Sequence, residues 1–134
     1  MDTASKKILI VEDEAPLLNI LHDRFVKEGF QVITAKDGVE GLVQAVKDHP
    51  DLILLDIIMP NMDGITMLKN LRGDSWGKDA DVLILSNKED SESISQTMEE
   101  KIGHFFIKSD WNINDLVEMV KTRLEVSENL AKSS

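Results

Sequence analysis

A short apolar run that ends in a carboxylate, Leu52-Ile53-Leu54-Leu55-Asp56, lies near the middle of this chain of 134 residues. Three similar runs also end in polar residues: Ile8-Leu9-Ile10-Val11 before Glu12-Asp13, Val82-Leu83-Ile84-Leu85 before Ser86, and Phe105-Phe106-Ile107 before Lys108. Continuous apolar runs of this length are typical of strands buried on both faces of a parallel sheet. Parallel strands place their polar ends at one sheet edge. Carboxylates, a hydroxyl and an ammonium group there predict a site for a divalent cation and a phosphoryl group.

The segments between these runs have the apolar spacing of helices. Strands are predicted over residues 7–11, 30–35, 51–56, 81–86 and 104–107. The first helix is expected to start near Pro16 and end at Gly29, the third to end at Gly73, and the last to begin at the cap residue Asn112. Alternating strands and helices predict an α/β fold in which helices cover both faces of a parallel sheet.

The second and fourth helices differ in their apolar content. Asp37 is predicted to cap the second helix, and its inner face is expected to consist of Val39, Leu42, Val43 and Val46. The fourth helix, over residues 89–101, is acidic and has few apolar anchors, so we expect its local stability to be low.

The composition indicates one domain, expected over residues 1–126 and followed by a polar tail over 127–134. The net charge of −10 argues against a nucleic-acid surface, because phosphate backbones are bound by clustered Lys and Arg. The chain has no cysteine and no apolar run near the roughly 20 residues of a membrane span, and its first residues lack the longer apolar stretch expected of a secretory signal. We therefore expect a cytoplasmic location without membrane insertion.

The four motifs, in this order and at strand ends, resemble the receiver domain of two-component response regulators, the CheY-like family. The resemblance spans roughly residues 6–126 and includes the sequence from Leu54 to Gly64. It implies a flavodoxin-like (βα)5 fold, a doubly wound parallel five-stranded sheet with the strand order 2-1-3-4-5.

The same resemblance assigns Asp56 as the phosphoryl acceptor, and carboxylates do form acyl phosphates in other proteins. It implies a Mg²⁺ site, which Mn²⁺ could also occupy. Asp13, Asp56 and the backbone carbonyl of Ile58 would be its ligands, and Glu12 would act through a metal-bound water.

Lys108, Ser86 and Phe105 complete the set of residues that the resemblance implies. Lys108 would contact the phosphoryl oxygens, and Ser86 would donate its hydroxyl to them once Asp56 is modified. Phe105 would follow Ser86 as a switch residue, with plain core packing as an equal alternative. The helix over 89–101, the fifth strand and the last helix would form the partner surface.

The expected phosphoryl donor is a sensor histidine kinase or a histidine phosphotransfer protein. The expected output is altered binding of a downstream protein target, and a dimer that forms on phosphorylation is a further expectation. The domain would not be an enzyme, although it would assist its own phosphorylation and dephosphorylation.

Two alternatives stay open. One is a phosphorylation-independent binding module of degenerate receiver type. The other is an aspartate-nucleophile phosphohydrolase, which Ile58 disfavours because such enzymes place a second acid there.

Three features depart from the family pattern. Ser109 replaces the usual proline after the lysine, and Asn87 stands where a small residue is common. Ile58 and Lys88 occupy two positions that tune attack by water. An apolar Ile58 cannot orient a hydrolytic water, so we expect the phosphate to be hydrolysed slowly.

Overall fold

The computed structural model describes residues 6–57, 61–86, 104–107 and 112–133, with side chains for all of these except 104–107 and 126–133. The strands are β1 (Lys7–Val11), β2 (Gln31–Ala35), β3 (Leu52–Asp56), β4 (Val82–Ser86) and β5 (His104–Ile107). They form one parallel sheet in the order β2-β1-β3-β4-β5. The predicted α/β fold and its strand order are therefore confirmed.

Four α-helices cover the strands in the described ranges, and a short 3-10 helix (Gly77–Asp79) precedes β4. The α-helices are α1 (Ala15–Lys27), α2 (Gly38–Asp48), α3 (Gly64–Arg72) and α4 (Ile113–Ser133). The helix predicted over 89–101 lies outside the described residues. The backbone of α4 stays helical through Ser133, across the segment in which the polar tail is predicted. None of the helices in these ranges combines the length and the apolar character that crossing a bilayer requires.

The helix ends follow the local sequence. Pro16 occupies the first turn of α1, and Gly29 behind that helix has a φ of 98°, a conformation that costs glycine little. Asp37 caps α2 by accepting a hydrogen bond from the Glu40 N–H at 2.8 Å. Asn112 caps α4 in the same way, with its Oδ1 accepting from the Asn114 N–H at 2.8 Å. The two predicted caps are confirmed.

The sheet separates two apolar cores, because side chains alternate between its faces along each strand. Ile8 and Ile10 of β1 belong to the core beneath α1 and α4, whereas Leu9 and Val11 belong to the core beneath α2 and α3. The strands β1, β3 and β4 are thus buried on both faces, which explains their continuous apolar runs.

The predicted inner face of α2 is correct only at Leu42, which is partly buried against the core beneath α2 and α3. Three of its four valine and leucine positions, Val39, Val43 and Val46, are between 39% and 59% exposed. The small residues Gly38, Gly41 and Ala45 are buried instead, with Gly38 against the Met62 backbone and Gly41 against Val11 of the sheet. A Cβ added at Gly41 would lie 2.9 Å from a methyl group of Val11, so α2 packs too closely for a larger side chain there. Hydrophobicity alone therefore pointed to the wrong face.

A group of charged side chains joins α1 to α4 across the surface. Glu28 accepts from Lys121 Nζ at 2.6 Å and from Arg24 Nε at 2.9 Å, and Arg24 also donates to Asn114 Oδ1 at 2.7 Å. The hydrogen bond from Lys121, followed by that from Arg24, holds the pKa of Glu28 below its usual range. The folded protein therefore stabilises the ionised form of the Glu28 carboxyl relative to the unfolded chain.

Replacing Glu28 with Gln should lower the free energy of unfolding by about 1 kcal/mol at neutral pH, because both charged hydrogen bonds are weakened. The difference from wild type should vanish as the pH falls through the lowered pKa of Glu28, since the wild-type carboxyl is then also neutral. Urea unfolding over a pH series measures this. Asp23→Asn is the control, since Asp23 contacts only its neighbour His22 among the described pairs and is largely exposed. Equal effects of the two substitutions would contradict the role given to Glu28.

Candidate functional site

Three carboxylates meet at the carboxyl edge of the sheet. Asp56 is the last residue of β3, and Glu12 and Asp13 directly follow β1. Val11 lies beside Leu55 in the parallel ladder, so Glu12 and Asp56, which follow them, lie at the same level of the sheet edge. One carboxylate oxygen from each of the three residues lies within 4.8 Å of the other two. The structure therefore brings together the three acidic residues singled out in the sequence.

Two of these carboxylates are removed from solvent and held by backbone groups. Glu12 is 0% exposed and Asp56 is 4% exposed, whereas Asp13 is exposed. The Ile57 N–H donates to Asp56 Oδ1 at 2.8 Å, and the Glu14 N–H donates to Glu12 Oε1 at 3.2 Å. These bonds orient the carboxylates in a low-dielectric environment, where charge–charge interactions are stronger than in water.

Ser86 is a neighbouring polar group at the end of β4. It follows Leu85, which pairs with Asp56 in the ladder, and it is 2% exposed. Its Oγ is buried without a hydrogen-bond partner among the residues that the structure describes. A buried hydroxyl in this state is costly unless a ligand or a modified group provides the partner.

The donor set fits a hard divalent cation such as Mg²⁺. Glu12, Asp13 and Asp56 offer only oxygen atoms, and Mg²⁺ prefers oxygen ligands and retains several waters. Like charges this close repel one another, and a cation between them reverses that interaction. The exposed Asp13 leaves one side of the cluster open to solvent. The cluster is therefore compatible with a metal site that keeps bound water.

Several of the predicted site residues cannot be compared with the structure. Ile58 and Lys108 lie outside the described residues, as do Asn87, Lys88 and Ser109. Phe105 lies in β5 with its backbone paired to Ile84, and its side chain is outside the description. The roles predicted for these residues stay predictions.

The fold and the arrangement of the acidic residues agree with the protein family that the chain resembles. The family model of the response regulator receiver domain matches residues 8–121. The chain belongs to this family. As a receiver domain it is a phosphorylation-accepting signalling module, and the resemblance of its motifs to that family is confirmed.

Individual relatives support the same assignment. The chain is 32% identical to the DNA-binding response regulator MtrA of Mycobacterium tuberculosis over an alignment of 124 residues. This alignment covers 92% of this chain and 53% of MtrA. The solved structure of the chemotaxis response regulator CheY4 of Vibrio cholerae is 26% identical, with a TM-score of 0.76 and coverage of 89% of this chain and 98% of CheY4. TrrA of Thermotoga maritima is 30% identical, with a TM-score of 0.72 and coverage of 87% and 97%. The receiver spans only 26% to 53% of the length of similar curated relatives.

The loop between Asp56 and α3 contains contacts that were not foreseen from the sequence. Asn61 donates from Nδ2 to Asp37 Oδ2 at 2.9 Å, and the Gly38 N–H donates to the Met62 carbonyl at 3.1 Å. The Glu40 N–H, and after it the Asn61 amide, hold the pKa of Asp37 below its usual range. The cap role of Asp37 was predicted from its neighbours in sequence. Its contact with Asn61 was not, because the two residues are 24 positions apart and no local sequence pattern relates them.

Gly64, the first residue of α3, packs directly behind Asp56. Its N–H donates to the Ile57 carbonyl at 2.8 Å, and an added Cβ would collide with the backbone carbonyl of Asp56. This contact is with backbone, which cannot swing aside as a flexible side chain can. The close approach requires glycine at this position.

Replacing Gly64 with Ala should lower the free energy of unfolding by about 1–3 kcal/mol, because α3 or the end of β3 must shift to make room. Urea unfolding measures the loss. Gly73→Ala, at the other end of α3, is a matched control, since a Cβ there would meet its nearest atom, the Asn70 carbonyl oxygen, at an ordinary 3.5 Å. If Gly64→Ala were as stable as Gly73→Ala, the close packing described here would be wrong.

Proposed function

We propose that Asp56 accepts a phosphoryl group from a phosphohistidine in a Mg²⁺-dependent reaction, and that the modification alters binding of a protein partner. The observation that carries this proposal is the acidic cluster of Glu12, Asp13 and Asp56, of which Glu12 and Asp56 are buried, near the buried Ser86. An acidic cluster alone is common. Its combination with the receiver fold, and with a buried hydroxyl that has no partner among the described residues, supports phosphoryl transfer.

The carboxylate of Asp56 is the nucleophile in the proposed reaction. One of its oxygens attacks phosphorus, a new O–P bond forms, and the P–N bond to the donor imidazole breaks with its electron pair returning to nitrogen. The Ile57 N–H holds Oδ1 in place, which limits the rotation of the carboxylate before attack. The reaction joins two anionic groups, so positive charge at the site is required.

Glu12 and Asp13, together with Asp56, would hold the cation that meets this requirement, and Ile58 would add its backbone carbonyl. When bound, Mg²⁺ would offset the charge of the carboxylates and of the transferred group. The structurally similar TrrA was crystallised in complex with Mg²⁺ and BeF, which supports Mg²⁺ as the cation and leaves Mn²⁺ as a substitute. Lys108 would contact the phosphoryl oxygens from the position that follows β5.

Ser86 would respond to the phosphoryl group. Its Oγ is already buried one position past Leu85, the ladder partner of Asp56, and a phosphoryl oxygen would supply a hydrogen-bond acceptor. Movement of Ser86 would carry the following segment toward the site, and Phe105 would repack with it. The region from 89 to 107 and α4 would thereby change as a surface for a downstream protein.

The proposed partners follow from the family. A sensor histidine kinase or a histidine phosphotransfer protein would donate the phosphoryl group, and a dimer is one state that phosphorylation could favour. We assign residues 1–126 to the receiver and 127–134 to a tail, and we place the protein in the cytoplasm. This function is preferred to a degenerate binding module because Glu12, Asp13 and Asp56 remain clustered. It is preferred to a phosphohydrolase because Ile58 is not an acid.

Incubation with acetyl phosphate and Mg²⁺ should add one phosphoryl group to the wild-type chain, measured as intact mass. Asp56→Asn should gain none, because the amide is a much weaker nucleophile, and removal of the metal should abolish the gain in wild type. Asp74→Asn is the control for a carboxylate remote from the sheet's carboxyl edge, since Asp74 caps a turn at the Trp76 and Gly77 N–H groups. Phosphorylation of Asp56→Asn at the wild-type rate would refute the assignment of the acceptor. Steady release of phosphate from a small phosphoester would instead favour the phosphohydrolase.

Ile58→Asn should shorten the lifetime of the phosphorylated state several-fold, because an amide can orient an attacking water and an apolar side chain cannot. The measurement is the decay of the phosphorylated mass after the phosphoryl donor is removed. Ile58→Val is the matched control and should leave the decay unchanged. Loss of the phosphoryl group from wild type within seconds would contradict the role given to Ile58.

A further inference from the structure

The loop that follows the acceptor is closed at its base. The Gly64 N–H donates to the Ile57 carbonyl at 2.8 Å, and Gly64 lies too close to the Asp56 backbone for any side chain. Asp63, which precedes it, caps α3 by accepting from the Thr66 N–H at 2.8 Å. Residues 61–63 therefore lead directly into a tightly packed contact with the backbone of Asp56.

The outer side of the loop is attached to the start of α2. Asn61 Nδ2 lies 2.9 Å from Asp37 Oδ2, and the Gly38 N–H lies 3.1 Å from the Met62 carbonyl oxygen. Asn61 has a φ of 65°, a left-handed conformation that Asn tolerates better than most residues. A Cβ at Gly38 would collide with the Met62 carbonyl, so the two segments are in direct backbone contact.

The start of α2 is in turn held against the strand that carries the other half of the site. Asp37 uses its second oxygen, Oδ1, to cap α2 at the Glu40 N–H. One turn further, the absence of a side chain at Gly41 allows α2 to pack against Val11, the residue before Glu12. The pair Asp37–Asn61 therefore connects the loop after β3 to a helix that is packed on the end of β1.

We propose that Asp37 and Asn61 are a positioning pair that sets the distance between the two halves of the cation site, Asp56 on one side and Glu12 with Asp13 on the other. The side-chain hydrogen bonds described for the two residues are with each other and with the Glu40 N–H of α2. Their effect is on the affinity for the divalent cation, through the placement of the loop. This inference rests on the proposed function, because it takes the acidic cluster to be a Mg²⁺ site.

Two single substitutions break the pair with opposite changes of charge. Asp37→Ser keeps a cap for α2 but is too short to reach Asn61, and it removes one negative charge. Asn61→Asp places two acceptors opposite each other and adds one negative charge. Positioning predicts that both weaken Mg²⁺ binding, by about three- to tenfold, the effect of one lost hydrogen bond. A purely electrostatic effect would shift the affinity in opposite directions.

The exchanged pair supplies the rescue. In the double variant, which combines Asp37→Asn with Asn61→Asp, the introduced amide can cap α2 through its oxygen and donate its N–H to the introduced carboxylate. The net charge of the chain is unchanged. Mg²⁺ affinity should therefore return to within about twofold of wild type. The measurement is calorimetric titration of the unphosphorylated full chain with Mg²⁺ alone, supplemented by hydrogen exchange of the Gly38 amide, which should be faster in the two single variants.

Asp74→Asn serves as the matched control, since it removes a capping carboxylate in the loop after α3 and should leave Mg²⁺ affinity unchanged. If wild type bound no Mg²⁺, the proposed function itself would fail. If wild type bound Mg²⁺ and the single variants bound it equally well, or shifted in opposite directions, the positioning pair would be rejected. Failure of the exchanged pair to restore binding would reject it as well.

Discussion

The parallel register of β1 and β3 is the constraint on which the rest of this receiver depends. Backbone hydrogen bonds align Val11 with Leu55, so Glu12 and Asp56, which follow them, lie at the same level of the sheet edge. Glu12, Asp13 and Asp56 consequently crowd together although like charges repel. The apolar bodies of the two strands, buried on both faces, stabilise an arrangement that the acidic ends alone would oppose.

The same register determines how the surrounding elements pack. α2 lies close to the end of β1 because Gly41 presents no side chain to Val11, and α3 begins directly behind β3 because Gly64 presents none to Asp56. Between these two contacts, Asn61 and Asp37 join the loop to the helix. The segments that carry Glu12 and Asp56 are thus each held by a closely packed helix, α2 against Val11 and α3 against the Asp56 backbone.

Particular elements show how far prediction from sequence could go. The strands were predictable because burial on both faces demands an uninterrupted apolar run, and Leu52-Ile53-Leu54-Leu55 has no other good explanation. The caps Asp37 and Asn112 were predictable because each depends on neighbours within three residues. The inner face of α2 was not, since Val39 and Val43 are more apolar than Gly38 and Gly41 but too large for the available space. Hydrophobic periodicity indicates which side chains favour removal from water. It does not indicate how closely a helix packs on a sheet, and that distance decided which residues of α2 are buried.

By itself, the sequence determined the α/β class, the order of the elements, and the acidic residues that the strand ends bring to one edge. These features follow from local hydrophobic periodicity, and from the fact that all strands of a parallel sheet have their carboxyl ends at the same edge. The tertiary structure alone decided which face of α2 is buried, that Ser86 Oγ is enclosed without a described partner, and that Asp37 meets Asn61. Each of these features depends on the distance in space between segments that are far apart in sequence. The packing of whole helices and strands sets that distance, and no local sequence pattern encodes it.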